Sequence, residues 1–230
     1  LSYTLLQPGS HRTHFGLIGK VNPSSILVIS SSCSSGTLTF FHLTFPGKVS
    51  EIRALLTPLR IEVIGADELG LIEPEETGKT FTENAELKAR LAAEASGLPA
   101  LADDSGLEVD ALNGNPGVYS ARYSSSGSDL DNCKKLLNHM TSVTKESRTA
   151  RFKCCLLGFN EGETVFAEGT LEGEIAEEFK GERGFGYDPI FLLPKYNLHL
   201  AEMEKDEKNK ISHRSKAFEV IKDMLPSLIN

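Results

Sequence analysis

The chain has 230 residues, 40% hydrophobic and 24% charged, a balance that builds a folded core and excludes disordered, collagen-like and coiled-coil classes. Its formal charge of −8 opposes non-specific attraction to nucleic acid or anionic membrane surfaces, so a polyanionic ligand needs a local basic pocket and a divalent cation. No run approaches the roughly 18 apolar residues of a membrane-spanning helix, and Cys33, Cys133, Cys154 and Cys155 form no C-x-x-C pair, which favours a reducing compartment.

Residues 1–50 contain no Asp or Glu and are rich in serine between Ser24 and Ser35. Residues 1–37 are therefore set apart as an atypical segment, and 38–230 are read as a single domain. The segment starts with Leu, and three readings stay open: a transit-like leader, a fragment, or a non-native start. Its few arginines weaken the first. Thr37 to Leu43 is β-branched and aromatic, which predicts a strand, and Pro46-Gly47 ends it before a helix from about Val49 to Leu56. Ile61 to Ile64 is a short apolar strand. Thr80-Phe81-Thr82-Glu83 has capping-box spacing and opens a helix over 81–96, with Gly97 and Pro99 as the stop.

Ala100 to Ala102 then reads as a strand that delivers Asp103-Asp104-Ser105-Gly106 as an acidic turn, before Leu107, Val109 and Ala111 alternate as a second strand. Asn113-Gly114 is another turn signal. Ser128 and Asp131 repeat the capping-box spacing and open a helix to about Met140. Ala150, Phe152, Cys154 and Leu156 alternate as a strand that sends Cys154 and Cys155 to opposite faces. Thr164 to Thr170 and Gly173 to Ala176 add strand pieces, glycines 181, 184 and 186 mark a loop, and Ala217, Val220, Ile221, Met224 and Leu225 recur at helical spacing before Pro226. Helix and strand signals alternate without a long linker, which predicts one α/β unit.

The familiar phosphate loops are absent. Gly78-Lys79-Thr80 has the tail of a Walker A loop, but Glu73 stands where its first glycine belongs. Gly184-Phe185-Gly186 lacks the third glycine of a dinucleotide fingerprint, and His11 and His14 have no partner ligands in range. The adjacent carboxylates Asp103 and Asp104 are more informative, because they repel unless a positive group joins them. Glu75-Glu76 is a second acidic pair in a loop before a helix, and hard oxygen ligands from two loops are what Mg²⁺ takes beside substrate phosphates. Lys48 follows Pro46-Gly47 at a helix start, and Lys208, Lys210, His213 and Arg214 cluster before the last helix. Taken singly these are a solvated turn and a solvated helix face; together they suggest a polyphosphate clamp.

Seven segments in order, Pro-Gly-Lys-x-x-Glu at 46–51, Glu-Glu-Thr-Gly at 75–78, Phe-x-Glu-Asn-Ala-x-x-Lys-Ala at 81–89, Ala-Asp-Asp-Ser-Gly-Leu at 102–107, Pro-Gly-Val-Tyr-Ser-Ala-Arg-Tyr at 116–123, Gly-Phe-Gly-Tyr-Asp-Pro-Ile-Phe at 184–191 and Ile-Ser-His-Arg at 211–214, closely resemble the inosine triphosphate pyrophosphatase family. The resemblance implies an elongated two-lobed α/β fold around a long mixed twisted sheet, a cytoplasmic homodimer, and Mg²⁺-dependent hydrolysis of ITP, dITP or XTP to the monophosphate and pyrophosphate. An organelle is the alternative compartment if the serine-rich segment is a transit peptide. By position, Asp104 matches the general base, Glu76 and Asp104 the metal-associated acids, and Ser105 a substrate contact. Lys48, Phe185, Gly186, Tyr187, Asp188, Lys208, His213 and Arg214 match substrate-binding positions.

One departure stands out. The family's first strand ends in Thr-x-Asn before the Gly-Lys turn, where this chain has Leu43-Thr44-Phe45. Two polar groups that face phosphate or sugar are replaced by apolar ones, which leaves a second reading open: a catalytically weakened nucleotide-binding homologue. A glycosidase using Asp104 and Glu76 is a third, but it gives the basic cluster no task.

Overall fold

The computed structural model describes residues 26–28, 30–31, 38–40, 55–57, 61–66, 69–72 and 74–229. Lys48, the Leu43-Thr44-Phe45 departure and most of the helix expected over 49–56 lie outside the described residues. Among these residues, no helix is long and apolar enough to cross a membrane.

Three long antiparallel strands form the spine: β5 (Ala100–Val109), β7 (Thr149–Asn160) and β8 (Glu163–Ile175). Beyond β8 lie β9 (Phe191–Leu193) and β10 (Leu198–His199), and β6 (Pro116–Gly117) pairs with the far end of β5. On the other side of β5 come β1 (Ile26–Val28), β4 (Ile61–Gly65), β3 (Leu38–Phe40) and β2 (Ser30–Ser31). The β3–β4 pair is parallel and the β1–β4 pair antiparallel, so the sheet is mixed.

One strand expectation holds over its described residues and one is corrected. The strand read at Thr37 to Leu43 appears as β3, outboard of β4, while the position beside β5 is taken by Ile26–Val28 from the acid-free segment, with Leu27 opposite Leu101. Its run Ile26-Leu27-Val28 is suited to a sheet interior flanked on both sides. The pieces expected at 164–170 and 173–176 are one strand, because β8 pairs with β7 without a break from Glu163 to Glu174.

The helices follow their caps. In α1 (Phe81–Ser96), Thr80 Oγ1 accepts from the Glu83 N–H at 3.1 Å and Glu83 returns to the Lys79 N–H at 2.6 Å. Gly97 ends the helix in the left-handed conformation, and its N–H closes on the Ala93 carbonyl. Ser128 caps α2 (Asp129–His139) by accepting from the Asp131 N–H at 3.2 Å. The single C-terminal helix expected from spacing is two, α4 (His213–Ile221) and α5 (Leu225–Ile229), preceded by a short α3 (Lys205–Ile211). Pro226 opens the last helix instead of stopping one, since a first-turn proline lacks only an N–H that has no partner inside the helix.

Helix α1 lies on β5 and β7, and α4 covers β7 and β8. Gly169 makes the second packing possible, because a Cβ there would overlap the His213 carbonyl and the Ala217 backbone of α4. Two cores share the spine. One gathers Leu101, Leu156, Leu157 and Phe159 with Phe81, Ala85, Ala89 and Phe218; the other gathers Leu107, Val109, Leu136, Ile175 and Phe191. Asp103 to Gly106 lie between them on β5, at the waist of a two-lobed molecule.

Candidate active site

The waist explains why Asp103-Asp104-Ser105-Gly106 is not a turn. These residues continue β5, with Asp104 opposite Cys155 and Ser105 opposite Cys154 on β7. Their other edge differs: β1 registers only as far as Ala102, and β6 begins opposite Leu107. Among the described residues, the four residues between have one neighbouring strand. Strand alternation then sends successive side chains to opposite faces, and each face supplies its own cation.

On one face, Asp104 points at α1. Lys88 Nζ donates to Asp104 Oδ1 at 2.7 Å and meets Glu76 Oε1 at 2.5 Å, while Asn84 Nδ2 donates to Asp104 Oδ2 at 3.2 Å. The Arg122 guanidinium holds the other Glu76 oxygen. Asn84 and Lys88 are 0% and 2% exposed although polar, because they share the stripe of Phe81, Ala85, Ala89 and Ala92 that α1 turns inward. Burial opposes ionisation of Glu76, yet the Lys88 charge and hydrogen bond, with Arg122, outweigh it and hold the carboxyl below its usual range. Lys88 is likewise kept charged: burial lowers its pKa, but Asp104 and Glu76 together drive it well above the ordinary lysine value.

On the other face, Asp103 points at α4. Arg214, 2% exposed, donates to Asp103 Oδ2 from Nε at 3.3 Å and from Nη2 at 3.0 Å, and Ser105 Oγ donates to the same oxygen at 2.9 Å. This pair opens onto a cleft of about 440 Å³, in the size range of small-molecule sites. Its walls include Ser105, Phe185, Gly186, Tyr187, Asp188, Lys208, His213 and Arg214. His213 stacks on Phe152 with ring centroids 5.2 Å apart, and Lys208 Nζ lies 4.6 Å above the Phe185 ring while pairing with Asp188. Tyr187 donates to the Ser120 carbonyl at 2.8 Å, and the Phe185 N–H donates to Asp188 Oδ2 at 2.9 Å. Burial raises the Asp188 pKa against the opposing pull of Lys208 and the Phe185 amide. Gly184 has φ +81, and a Cβ there would overlap the Asp188 carboxylate, so the loop requires glycine twice over.

The sequence-derived residues thus fall into two groups on opposite faces of one strand. Glu76 and Asp104 form the acidic group, and Ser105, Phe185 to Asp188, Lys208, His213 and Arg214 share the cleft; Lys48 lies outside the described residues. Lys88, Asn84 and Arg122 were missed, and Asp103, read only as one of an acidic pair, turns out to be the partner of Arg214. The signal for the first two was present, since a polar residue on the apolar stripe of a helix is buried and needs a partner. Cys133, Cys154 and Cys155 form no disulfide. Among the described residues, no three His, Cys, Asp or Glu side chains converge as a self-sufficient metal cage. Two carboxylates bridged by one ammonium do suit a hard cation that takes its remaining ligands from phosphate and water.

The fold is thus a mixed α/β sheet whose waist strand places an ion-paired carboxylate cluster on one face and an aromatic-lined cleft with Lys208, His213 and Arg214 on the other. The Ham1 family model matches residues 43–224, and the chain belongs to the Ham1 family. It is 50% identical over 183 residues to the dITP/XTP pyrophosphatase of Haemophilus influenzae, covering 78% of this chain and 94% of that protein. The Bacillus subtilis dITP/XTP pyrophosphatase is 48% identical, covering 78% and 92%. Among solved structures, the HAM1 protein of Coxiella burnetii superimposes with TM-score 0.76 at 41% identity over 81% of this chain and 97% of that one. The Staphylococcus aureus Ham1 protein gives 0.72 at 42% identity over 80% and 95%.

Proposed function

We propose that the chain hydrolyses noncanonical purine nucleoside triphosphates, ITP, dITP and XTP, to the monophosphate and pyrophosphate. The observation that carries this reading is the division of labour across β5: a carboxylate pair locked to Lys88 on one face, and a base-sized aromatic cleft with Arg214 and His213 on the other. The names of the matched relatives point the same way. The weakened-homologue reading is not favoured, since close identity to pyrophosphatases extends over most of the chain.

In this scheme Asp104 orients a water and takes its proton, contributing about 10²- to 10⁴-fold as a general base. Lys88 and Asn84 fix both Asp104 oxygens, so the carboxylate meets the water in one orientation. Glu76 and Asp104 would hold Mg²⁺ together with substrate phosphate oxygens. When bound, the ion neutralises phosphate charge and steadies the departing pyrophosphate. By the family resemblance, Lys48 is a further substrate-binding residue. At the other end Phe185 offers a face to the purine, Tyr187 and Asp188 anchor its loop, and Lys208 keeps Asp188 charge-paired. Asp103 and Ser105 aim Arg214 at the cleft.

Arg214 and His213 present hydrogen-bond donors that suit a 6-keto oxygen and oppose the exocyclic amine of adenine. A mismatch of this kind in a buried site costs about 10⁴- to 10⁵-fold in kcat/KM. The enzyme acts as a cytoplasmic homodimer in this reading, with no nucleic-acid or membrane partner. The test is kcat/KM for ITP, XTP, GTP and ATP at one Mg²⁺ concentration: ITP and XTP exceed ATP by orders of magnitude if the assignment holds, and equal values for ITP and ATP refute it.

A further inference from the structure

The loop bearing Phe185 is gripped through its backbone, and the grip comes from α2. The Gly186 N–H donates to Asp129 Oδ2 at 2.6 Å, and Cys133 Sγ donates to the Gly186 carbonyl at 3.3 Å. Asp129 and Cys133 are four residues apart, so they share one face of the helix. Asn132, on the same side, accepts from the Ser124 N–H at 2.6 Å and donates to the Ala121 carbonyl at 3.2 Å. One helix end therefore holds two rims of the cleft, and both Asp129 and Asn132 line it. Gly186 sits at φ +61, where small backbone rotations swing its neighbour. The Phe185 ring is 41% exposed and meets the tip of the flexible Lys208 side chain, so its place depends on where the backbone is tied.

We propose that Asp129 is a positioning residue for the base end of the cleft, holding the Gly186 amide so that the Phe185 ring stands ready as a platform for the purine. The assignment rests on the reading that the 184–188 loop meets the base. Asp129 is on the cleft wall away from the Asp104, Glu76 and Lys88 group, so its loss affects substrate capture and leaves the chemical step alone. A flexible platform must be ordered at the moment of binding, and that entropic cost weakens binding of the base without altering water attack.

Steady-state kinetics on Asp129→Ala, Asp129→Asn and Phe185→Ala with ITP test this, with unfolding midpoints to show that each variant is folded. Removing the acceptor in Asp129→Ala raises KM about three- to tenfold, the range for one partly solvated charge-assisted hydrogen bond, and keeps kcat within about twofold. Asp129→Asn retains an acceptor oxygen of the same reach and returns KM to within about twofold of the parent. If alanine prevents folding, Asp129→Ser, whose oxygen is too short to reach Gly186, takes its place with the same expectation. An unchanged KM in the alanine or serine variant overturns the proposal, as does a loss confined to kcat. An asparagine variant no better than alanine overturns it too, because charge at the helix start would then be the cause. If Phe185→Ala raises KM and Asp129→Ala does not, the positioning role alone has failed; if both leave KM unchanged, the placement of the base is wrong.

Discussion

Replacing Lys88 with methionine removes the ammonium that, among the described residues, bridges Asp104 and Glu76, while keeping most of the side-chain volume. Lys88 is 2% exposed and its partners are 8% and 18% exposed at the side chain, so the two carboxylates would face each other with little water to separate them. Deleting one member of a buried pair costs about 3–5 kcal/mol. Arg122 still holds Glu76 and Asn84 still holds Asp104, which places the expected loss near the lower bound, about 3 kcal/mol. For a chain of this size that lowers Tm by about 6–12 °C.

The pH dependence identifies the cause of that loss. In the parent protein the folded Glu76 pKa lies below the ordinary value of 4.5, so its contribution is present above that value, is lost only as pH falls through the folded pKa, and is flat between pH 5.5 and 7.5. In Lys88→Met the neighbouring carboxylates push one folded pKa above the unfolded value. The folded state then binds more protons than the unfolded state, and stability falls as pH rises through that window. Denaturant unfolding of both proteins at pH 5.5 and 7.5 is the assay, with a deficit that narrows at the lower pH. A deficit below about 1 kcal/mol with no pH dependence would refute the reasoning, since it would mean that water already screens the cluster.

Gly169→Ala forces a methyl against the His213 carbonyl and the α4 backbone; overpacking of this kind costs about 1–3 kcal/mol, and displacement of His213 and Arg214 raises KM for ITP, both absent if α4 shifts freely. Arg148 is 5% exposed and donates to the carbonyls of Met140, Ile175 and Ala176, so Arg148→Met leaves buried acceptors unmet and destabilises by about 2–4 kcal/mol, read by denaturant unfolding, with kcat unchanged because neither Arg148 nor these partners line the cleft.

Local signals carried the helices. Thr80 with Glu83 and Ser128 with Asp131 marked the starts of α1 and α2, and Gly97 marked a stop, because caps are made by residues adjacent in sequence. The Asp103 to Gly106 strand was not legible for the opposite reason. Four polar or flexible residues read as a turn until Lys88 on α1 and Arg214 on α4 supply counter-charges, and those residues are 16 and 111 positions from their partners. The place of β1 was hidden too, since neither composition nor spacing says which of two apolar runs, Ile26 to Val28 or Leu38 to Phe40, sits beside β5. The paired acids and the basic residues Lys208, His213 and Arg214 were legible as types, whereas Lys88 and Arg122 were not. Their division between two faces of one strand required the register of β5 against β7.

The most direct test of the central claim is a product analysis by phosphorus NMR of ITP turnover with Mg²⁺, comparing the parent chain with Asp104→Asn at matched fold and stability. The parent is expected to release pyrophosphate and IMP, and the amide variant, unable to accept a proton from water, is expected to form the same products about 10²- to 10⁴-fold more slowly. Release of orthophosphate and IDP by the parent, or near-normal pyrophosphate release by a well-folded Asp104→Asn protein, would contradict the account.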